Sequence, residues 1–192
     1  FPIPKHWNKW FAYDWGYNTY AAGLWFARDP QSTRIYVYRE FYPHAMAASV
    51  QADTINQLTG EEQVFTKWAD PSLWKQNGSA ETGESVAILF QKAGLIFQPA
   101  NNDRANGMNA VHEALAMLPD GTPGLQVFSN CVNTIRTLPS LPYDPNKPED
   151  VDTRAEDHLY DCLRYGLINQ RPADMPEIQM NEEGYNRRMK YA

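Results

Sequence analysis

Up to Pro43 the chain consists of short apolar, β-rich runs separated by turn formers, and the third run, Arg34–Tyr42, alternates between polar and β-forming residues. Three runs rich in aromatic and β-forming residues predict three strands, because such residues suit a pleated, half-buried surface. The gaps between them are short, as in an antiparallel meander. The predicted strands and the residues that close them are Trp10–Asp14 before Gly16, Ala21–Ala27 before Asp29-Pro30, and Arg34–Tyr42 before Pro43.

After Pro43 the pattern changes to helical. Ala45–Leu58 contains no Gly or Pro, and its apolar residues Ala48, Ile55 and Leu58 fit one helical stripe that ends at Gly60. Strands and helices then alternate, which predicts an α/β fold with a mixed sheet, three antiparallel strands followed by parallel ones, flanked by helices. The later predicted elements are strands at Val64–Ala69, Leu95–Gln98 and Leu125–Phe128, helices at Ser85–Ala93, Asn106–Leu118 and Thr153–Ile168, and a loop at Leu138–Pro148.

The last predicted helix carries several polar residues beside its apolar stripe. Thr153 and Glu156 form a Thr-x-x-Glu capping box, which predicts the helix start. At about 100° per residue, His158 and Asp161 lie together at the border of the stripe, whereas Asp157 lies further round, near Arg164 and toward solvent. The stripe itself is formed by Ala155, Leu159, Cys162 and Gly166.

Composition and charge narrow the class of protein. The 192 residues are 43% hydrophobic, enough for one well-cored domain, and the longest apolar runs, such as Val86–Phe90, are too short to span a bilayer. Cys131 and Cys162 are expected to be reduced thiols. The tryptophans Trp7, Trp10, Trp15 and Trp25 are expected in the core. The net charge of −6 argues against tight DNA binding by the chain's own field, although it allows acidic residues that hold metal ions.

Three aspartates stand at or near the ends of predicted elements. Asp14 ends the first strand, Asp70 ends the fourth, and Asp161 lies in the last helix. An unpaired charge beside apolar neighbours is costly, and a divalent cation removes that cost. Oxygen ligands without a Cys/His cluster favour Mg²⁺ or Mn²⁺. Asp-Trp-Gly and Asp-Pro are also ordinary turn formers, so the joint placement matters more than any single aspartate.

Five segments of the chain resemble the C-terminal nuclease domain of bacteriophage large terminases. The resemblance covers residues from about 8 to 168, and the segment around the last helix is its most specific part. The segments are Phe11-Ala12-Tyr13-Asp14-Trp15-Gly16, Ala69-Asp70-Pro71-Ser72, Asn102-Asp103-Arg104-x-x-Gly107, Pro148-Glu149-Asp150-Val151-Asp152-Thr153 and Glu156-Asp157-His158-Leu159-Tyr160-Asp161-Cys162-Leu163-Arg164-Tyr165.

The resemblance implies an RNase H-like fold and a metal-dependent endonuclease that cuts concatemeric double-stranded DNA. It places Asp14, Asp70 and Asp161 as ligands of two Mg²⁺ or Mn²⁺ ions, with Asp157 as the fallback for the third ligand and His158 beside the site. Asp150 and Asp152 are either accessory ligands or residues that form the turn before the helix. Arg104 is either a phosphate contact or part of a loop hydrogen-bond network.

The resemblance also implies partners and a division of the chain. Residues 1–168 are predicted to form the nuclease domain, and residues 169–192 a polar tail whose Arg187, Arg188 and Lys190 form a small basic end. No G-x-x-x-x-G-K-[ST] phosphate loop is present, so we expect the nuclease half of a longer protein, without ATP hydrolysis. The expected partners are DNA, the N-terminal packaging ATPase domain, the portal protein and the small terminase subunit, with no membrane. The expected location is the bacterial cytoplasm, at the procapsid portal.

Two other functions are compatible with the sequence. One is another RNase H-like nuclease, such as a junction resolvase, which would prefer four-way junctions to linear duplex. The other is a non-catalytic module that docks a motor onto a portal ring, which the acidic surface and polar tail would suit.

Overall fold

A computed structural model of the protein describes residues 1–75 and 84–170. A six-stranded sheet forms its centre, in the order β5-β4-β1-β2-β3-β6, and a separate two-stranded hairpin joins β7 and β8. The strands are β1 (Asn8–Asp14), β2 (Ala22–Arg28), β3 (Ile35–Phe41), β4 (Thr66–Ala69), β5 (Gln98–Pro99), β6 (Leu125–Val127), β7 (Tyr143–Asp144) and β8 (Lys147–Val151). The helices are α1 (Ala48–Thr59), α2 (Val86–Lys92), α3 (Arg104–Leu115), α4 (Val132–Thr137) and α5 (His158–Ile168).

The strand directions follow the predicted mixed sheet. The first three strands pair antiparallel, β1 with β2 and β2 with β3. The later strands pair parallel, β4 with β1, β5 with β4, and β6 with β3. The predicted fold class, three antiparallel strands followed by parallel strands in an α/β sheet, is therefore confirmed.

Alternate residues of β1 enter two different cores on the two faces of the sheet. Trp10 and Ala12 pack in the core that includes residues of α3 and α5, whereas Phe11 and Tyr13 pack in the core that includes residues of α1 and α2. This is the period of two expected for a strand covered on both faces. Asp14 follows the parity of Trp10 and Ala12, so its side chain lies on the face covered by α5.

The expected free thiols are confirmed, and the core position is confirmed for two of the four tryptophans. Cys131 and Cys162 are both buried free thiols. Trp10 and Trp25 are buried, and Trp7 and Trp15 pack partly buried against the core on the α1 and α2 face. None of the described helices is long and apolar enough to cross a bilayer. The predicted tail lies outside the described residues from position 171 onward.

Helix α4 and the β7–β8 hairpin were not predicted. Helix α4 is capped from a distance, because the Glu40 carboxylate of β3 accepts hydrogen bonds from the backbone N–H groups of Asn133 and Thr134, both at 2.8 Å. The β7–β8 hairpin begins in the predicted loop Leu138–Pro148. Its turn is stabilised by Asp144, whose Oδ1 accepts from the Asn146 backbone N–H at 2.7 Å.

The predicted start of the last helix is wrong by five residues, since α5 begins at His158 instead of Thr153. The preceding segment forms a turn in which the backbone N–H of Ala155 donates to the carbonyl of Asp152 at 3.0 Å. Glu156 is not part of a capping box. Its carboxylate instead accepts from Arg136 at 2.6 Å and from the Tyr42 hydroxyl at 3.0 Å. Long-range partners for Glu156 outweigh the local cap.

Candidate active site

Asp14 and Asp70 lie at the carboxyl ends of neighbouring parallel strands. The β1–β4 register pairs Tyr13 with Ala69, so each aspartate follows a paired residue. The backbone N–H of Asp70 donates to the carbonyl of Tyr13 at 3.1 Å, which keeps the two chain ends together where the strands stop. Asp70 then caps a short 3-10 helix, and its carboxylate accepts from the Ser72 backbone N–H at 2.5 Å.

Helix α5 crosses the same face of the sheet and contacts both aspartates. The Nδ1 atom of His158, the first residue of the helix, lies 3.1 Å from Oδ2 of Asp14. Two turns later, the Tyr165 hydroxyl donates to Oδ2 of Asp70. The helix can lie this close because Gly166 packs directly on the ring of Phe26. The indole N–H of Trp10 also donates to the Gly166 carbonyl at 2.8 Å.

Asp161 lies between two arginines. Its Oδ1 accepts from Arg164 Nη2 at 3.0 Å and from Arg104 Nη1 at 3.2 Å. Arg104 also lies 2.5 Å from Asp150 of β8 and 3.9 Å from Asp157. The Arg104 guanidinium is therefore surrounded by three carboxylates that come from the hairpin and from the start of α5.

The predicted solvent position of Asp157 is wrong. Asp157 is only 7% exposed, and Arg164, its predicted neighbour on the solvent side, is 1% exposed. Helix α3 covers this side of α5, because Gly107 has no side chain and allows the stem of Arg164 to pack against it. The single apolar stripe inferred from periodicity therefore described only one of two buried faces.

The pKa values of Asp14 and Asp157 at the site are raised first by burial and then by neighbouring negative charges. Burial raises the pKa of Asp14 to about 7, and the charges of Asp161 and Asp70 act in the same direction, while His158 opposes them. Burial and then the charge of Asp161 raise the pKa of Asp157 to about 6. Burial acts to raise the pKa of Asp70 as well, but hydrogen bonds from Ser72 and Tyr165 outweigh it and hold that pKa below its usual value.

The structure thus brings together most of the residues that the sequence singled out. Asp14, Asp70, Asp161, His158 and Asp157 lie around the first two turns of α5 and the ends of β1 and β4, with Arg104 next to them. Asp152 is turned toward Arg154, whose Nη2 lies 2.7 Å from its Oδ2. Asp150 forms an ion pair with Arg104.

Two further residues at the site received no role from the sequence. Tyr165 binds Asp70, and Arg164 binds Asp161 from within the α3–α5 interface. Both belong to the segment that carries the resemblance, and Arg164 follows Asp161 by three residues, a spacing that places two side chains side by side on a helix. That spacing could have predicted the contact between Arg164 and Asp161. The contact between Tyr165 and Asp70 has no such local signal, because the two residues are 95 positions apart in the sequence.

In their present orientations, no three acidic, histidine or cysteine side chains in residues 1–75 and 84–170 are grouped tightly enough to hold one ion. Each candidate ligand has a protein partner: His158 for Asp14, Tyr165 for Asp70, and two arginines for Asp161. The donor chemistry nevertheless suits a hard divalent cation, because all three candidate ligands are carboxylates. Burial, and then the charges of Asp161 and Asp70, raise the pKa of Asp14, and a bound cation would remove the cost of that buried charge.

No protein-family model and no curated protein sequence matches the chain. Solved structures are similar. The P22 large terminase nuclease domain aligns with a TM-score of 0.62 at 17% identity, over 88% of this chain and 84% of that one. The nuclease domain of the bacteriophage SPP1 large terminase, solved with bound Mn, aligns with a TM-score of 0.58 at 18% identity, over 82% and 84%.

A large terminase from a thermophilic bacteriophage, solved in complex with ADP, aligns with a TM-score of 0.67 at 18% identity. That alignment covers 88% of this chain but 40% of the other chain, so the present sequence spans less than half of that protein. At these identities the likeness concerns the fold. The chain shares the fold of the P22 and SPP1 large terminase nuclease domains.

Proposed function

We propose that this chain is a metal-dependent endonuclease that cuts concatemeric double-stranded DNA during phage genome packaging. The observation that carries the proposal is the pairing of Asp14 and Asp70 at the ends of parallel strands, beneath the helix that bears Asp161 and His158. This arrangement occurs in a chain with the fold of terminase nuclease domains.

Asp14, Asp70 and Asp161 are the proposed ligands of two Mg²⁺ or Mn²⁺ ions. Their oxygens are hard donors, and their partners in the structure are exchangeable hydrogen bonds and ion pairs. The SPP1 domain was solved with bound Mn and the nuclease of phage G20c with bound cobalt, which supports use of a divalent metal in this fold. Bound by these carboxylates, such ions would activate a water and stabilise the leaving oxygen.

The remaining residues of the site orient these ligands. Tyr165 holds one oxygen of Asp70, and Ser72 holds the other through its backbone N–H. His158 lies directly beside Asp14, so it can hold a proton or position that carboxylate. Asp157 remains the alternative third ligand, with Asp150 and Asp152 as accessory candidates. No residue of this set needs to form a covalent intermediate with DNA.

The proposed partners follow from the role in packaging. They are duplex DNA, a packaging ATPase domain of the same polypeptide, the portal protein and the small terminase subunit, in the cytoplasm of the host bacterium. The net charge of −6 suggests that such partners bring the nuclease to DNA. Arg104 remains a candidate phosphate contact, although its guanidinium forms ion pairs with Asp150 and Asp161.

Plasmid cleavage tests the proposal. The purified chain is expected to nick and linearise supercoiled plasmid with Mn²⁺ or Mg²⁺. It should be inert in EDTA, because the proposed site contains no side chain that would replace metal-activated water as the nucleophile. Asp14→Asn, which keeps the shape of the side chain, is the control for a contaminating nuclease. Robust cleavage in EDTA would overturn the metal mechanism, cleavage confined to four-way junctions would indicate a resolvase, and no cleavage with either metal would favour a docking module.

A further inference from the structure

Arg164 is a charged residue buried almost completely in the interior. Its side chain is 1% exposed, and it lies where α5 packs against α3 and the loop before α3. A buried guanidinium is tolerated only when its N–H groups are paired, and buried ion pairs contribute little net stability compared with apolar packing. Its presence therefore calls for an explanation other than stability.

Each nitrogen of the Arg164 guanidinium donates a hydrogen bond, either to Asp161 or to the backbone before α3. Its Nε and Nη2 donate to Oδ1 of Asp161 at 3.2 and 3.0 Å, a two-nitrogen grip on a single oxygen. Its Nη1 donates to the backbone carbonyls of Asn102 and Asp103, both at 3.3 Å. The guanidinium is thus anchored to the main chain on one side and holds Asp161 on the other.

The two oxygens of Asp161 are left in different states. Oδ1 accepts from Arg164 and from Arg104, whereas Oδ2 accepts only a 3.3 Å contact from Arg104 Nη1 among the described residues. The bonds to Oδ1 fix the plane of the carboxylate, and Oδ2 has to give up only its longer contact with Arg104 to become a ligand.

Helix α3 contains a position that accommodates this arginine. A Cβ at Gly107 would lie 2.5 Å from Cγ and 2.8 Å from Cδ of Arg164. These atoms belong to the middle of a buried side chain. It cannot move aside without breaking its hydrogen bonds to the Asn102 and Asp103 carbonyls. Gly107 therefore provides the space that Arg164 requires to reach Asp161.

We propose that Arg164, seated against Gly107, is the positioning residue for Asp161 and presents its Oδ2 oxygen to a divalent cation. The proposal rests on the proposed function, in which Asp161 is a metal ligand. Arg164 itself is buried, with a side chain that is 1% exposed. It acts by fixing the orientation of the carboxylate, as partners of metal ligands commonly do.

Calorimetric titration of the full chain with Mn²⁺, without DNA, tests the proposal. Arg164→Lys keeps the charge but loses the two-nitrogen grip, and Gly107→Ala displaces the arginine without removing it. Each is expected to weaken Mn²⁺ binding by roughly 10–100-fold. Val111→Ala is the matched control. It creates a cavity one turn further along the same face of α3, so it should lower the melting temperature in EDTA and leave Mn²⁺ binding within about twofold.

A second comparison separates positioning from a general effect on folding. In an Asp161→Ala background, Arg164→Lys should weaken Mn²⁺ binding no further, because the carboxylate it positions is gone. Equal losses in both backgrounds, or wild-type Mn²⁺ binding by Arg164→Lys and Gly107→Ala, would overturn the positioning role while the proposed nuclease stands. If the wild-type chain binds no Mn²⁺, the proposed function fails, and the positioning role fails with it.

Discussion

At the scale of single residues, the two aspartates on the sheet are not equivalent although they sit side by side. Asp14 is buried among like charges, which raises its pKa to about 7, so its ionised form destabilises the metal-free protein at neutral pH. Asp70 is held in its ionised form by Ser72 and Tyr165, which lower its pKa. The same chemical group therefore opposes folding at one position and favours it at the other.

This difference predicts opposite effects of one substitution. Asp14→Asn should raise the melting temperature in EDTA at pH 7 because it removes a buried charge, by roughly 2–4 °C for each kcal/mol gained. Asp70→Asn should lower that temperature, because it removes a stabilised carboxylate. Both should abolish cleavage. Thermal unfolding followed by circular dichroism measures the first effect, and a lower melting temperature for Asp14→Asn would contradict the assignment of Asp14 as a destabilising charge.

The choice of the third ligand is also decided among single residues. Asp161→Ala should reduce the initial nicking rate by orders of magnitude, and Asp157→Ala by much less. The reason is that the charge of Asp161 contributes to the raised pKa of Asp14, which indicates that its carboxylate lies near that proposed ligand. Rates for both variants at saturating Mn²⁺ distinguish them. An inactive Asp157→Ala protein beside an active Asp161→Ala protein would make Asp157 the ligand.

At the scale of elements, the position of α5 determines the site. This helix contacts Asp14 through its first residue and Asp70 two turns later. A small displacement of the helix would therefore break both contacts. Its approach to the sheet is limited at Gly166, where a Cβ would lie 2.3 Å from the ring of Phe26. Phe26 cannot yield easily, because its ring stacks on Trp10 at a centroid distance of 5.3 Å.

Gly166→Ala should therefore destabilise the protein, although the same change at an open helical position stabilises by about 1 kcal/mol. Overpacking of a tight core costs roughly 1–3 kcal/mol, and the helix is pushed from the sheet. Urea unfolding measures the loss. Phe26→Leu makes room for the added methyl group, so the two changes together should cost less than the sum of their separate costs. Additive losses, or a gain in stability from Gly166→Ala alone, would show that the contact is not limiting.

At the scale of the whole molecule, charge sets how the nuclease meets its substrate. The chain has 17 basic and 23 acidic side chains, not counting histidine. Several arginines are engaged by acids within the fold, among them Arg34, Arg39, Arg104 and Arg136. Their charge is thus partly neutralised before DNA approaches.

Binding of duplex DNA by the isolated chain should accordingly be weak and should fall steeply as salt is added. Fluorescence anisotropy with a labelled duplex in Ca²⁺ or EDTA, at several salt concentrations, measures both properties. A duplex that carries the same label but lacks a cleavable bond controls for turnover. Tight binding at moderate salt, without any partner, would contradict this expectation and show a basic surface strong enough to act alone.

The sequence by itself determined the sheet and the location of the acids. Strands β1 to β4 are rich in aromatic and β-forming residues, and Asp14 and Asp70 were recognisable because each stands where such a run meets a turn. These features are local, since strand propensity and turn chemistry act over a few residues. They were sufficient for the α/β class, the strand directions and the grouping of Asp14 with Asp70.

Only the tertiary structure decided what surrounds those acids. The periodicity of the sequence identified one apolar face of α5. A second face, which carries Arg164, is covered by α3, and Asp157 is buried as well. Glu156 binds Arg136 and Tyr42 instead of capping the helix. Arg104 binds Asp150 and Asp161, which are 46 and 57 residues away in the sequence. An ion pair between distant segments depends on which elements pack together, and no local pattern carries that information. For the same reason, the sequence could not show that Gly107 leaves space for Arg164, because that contact depends on how α3 packs against α5.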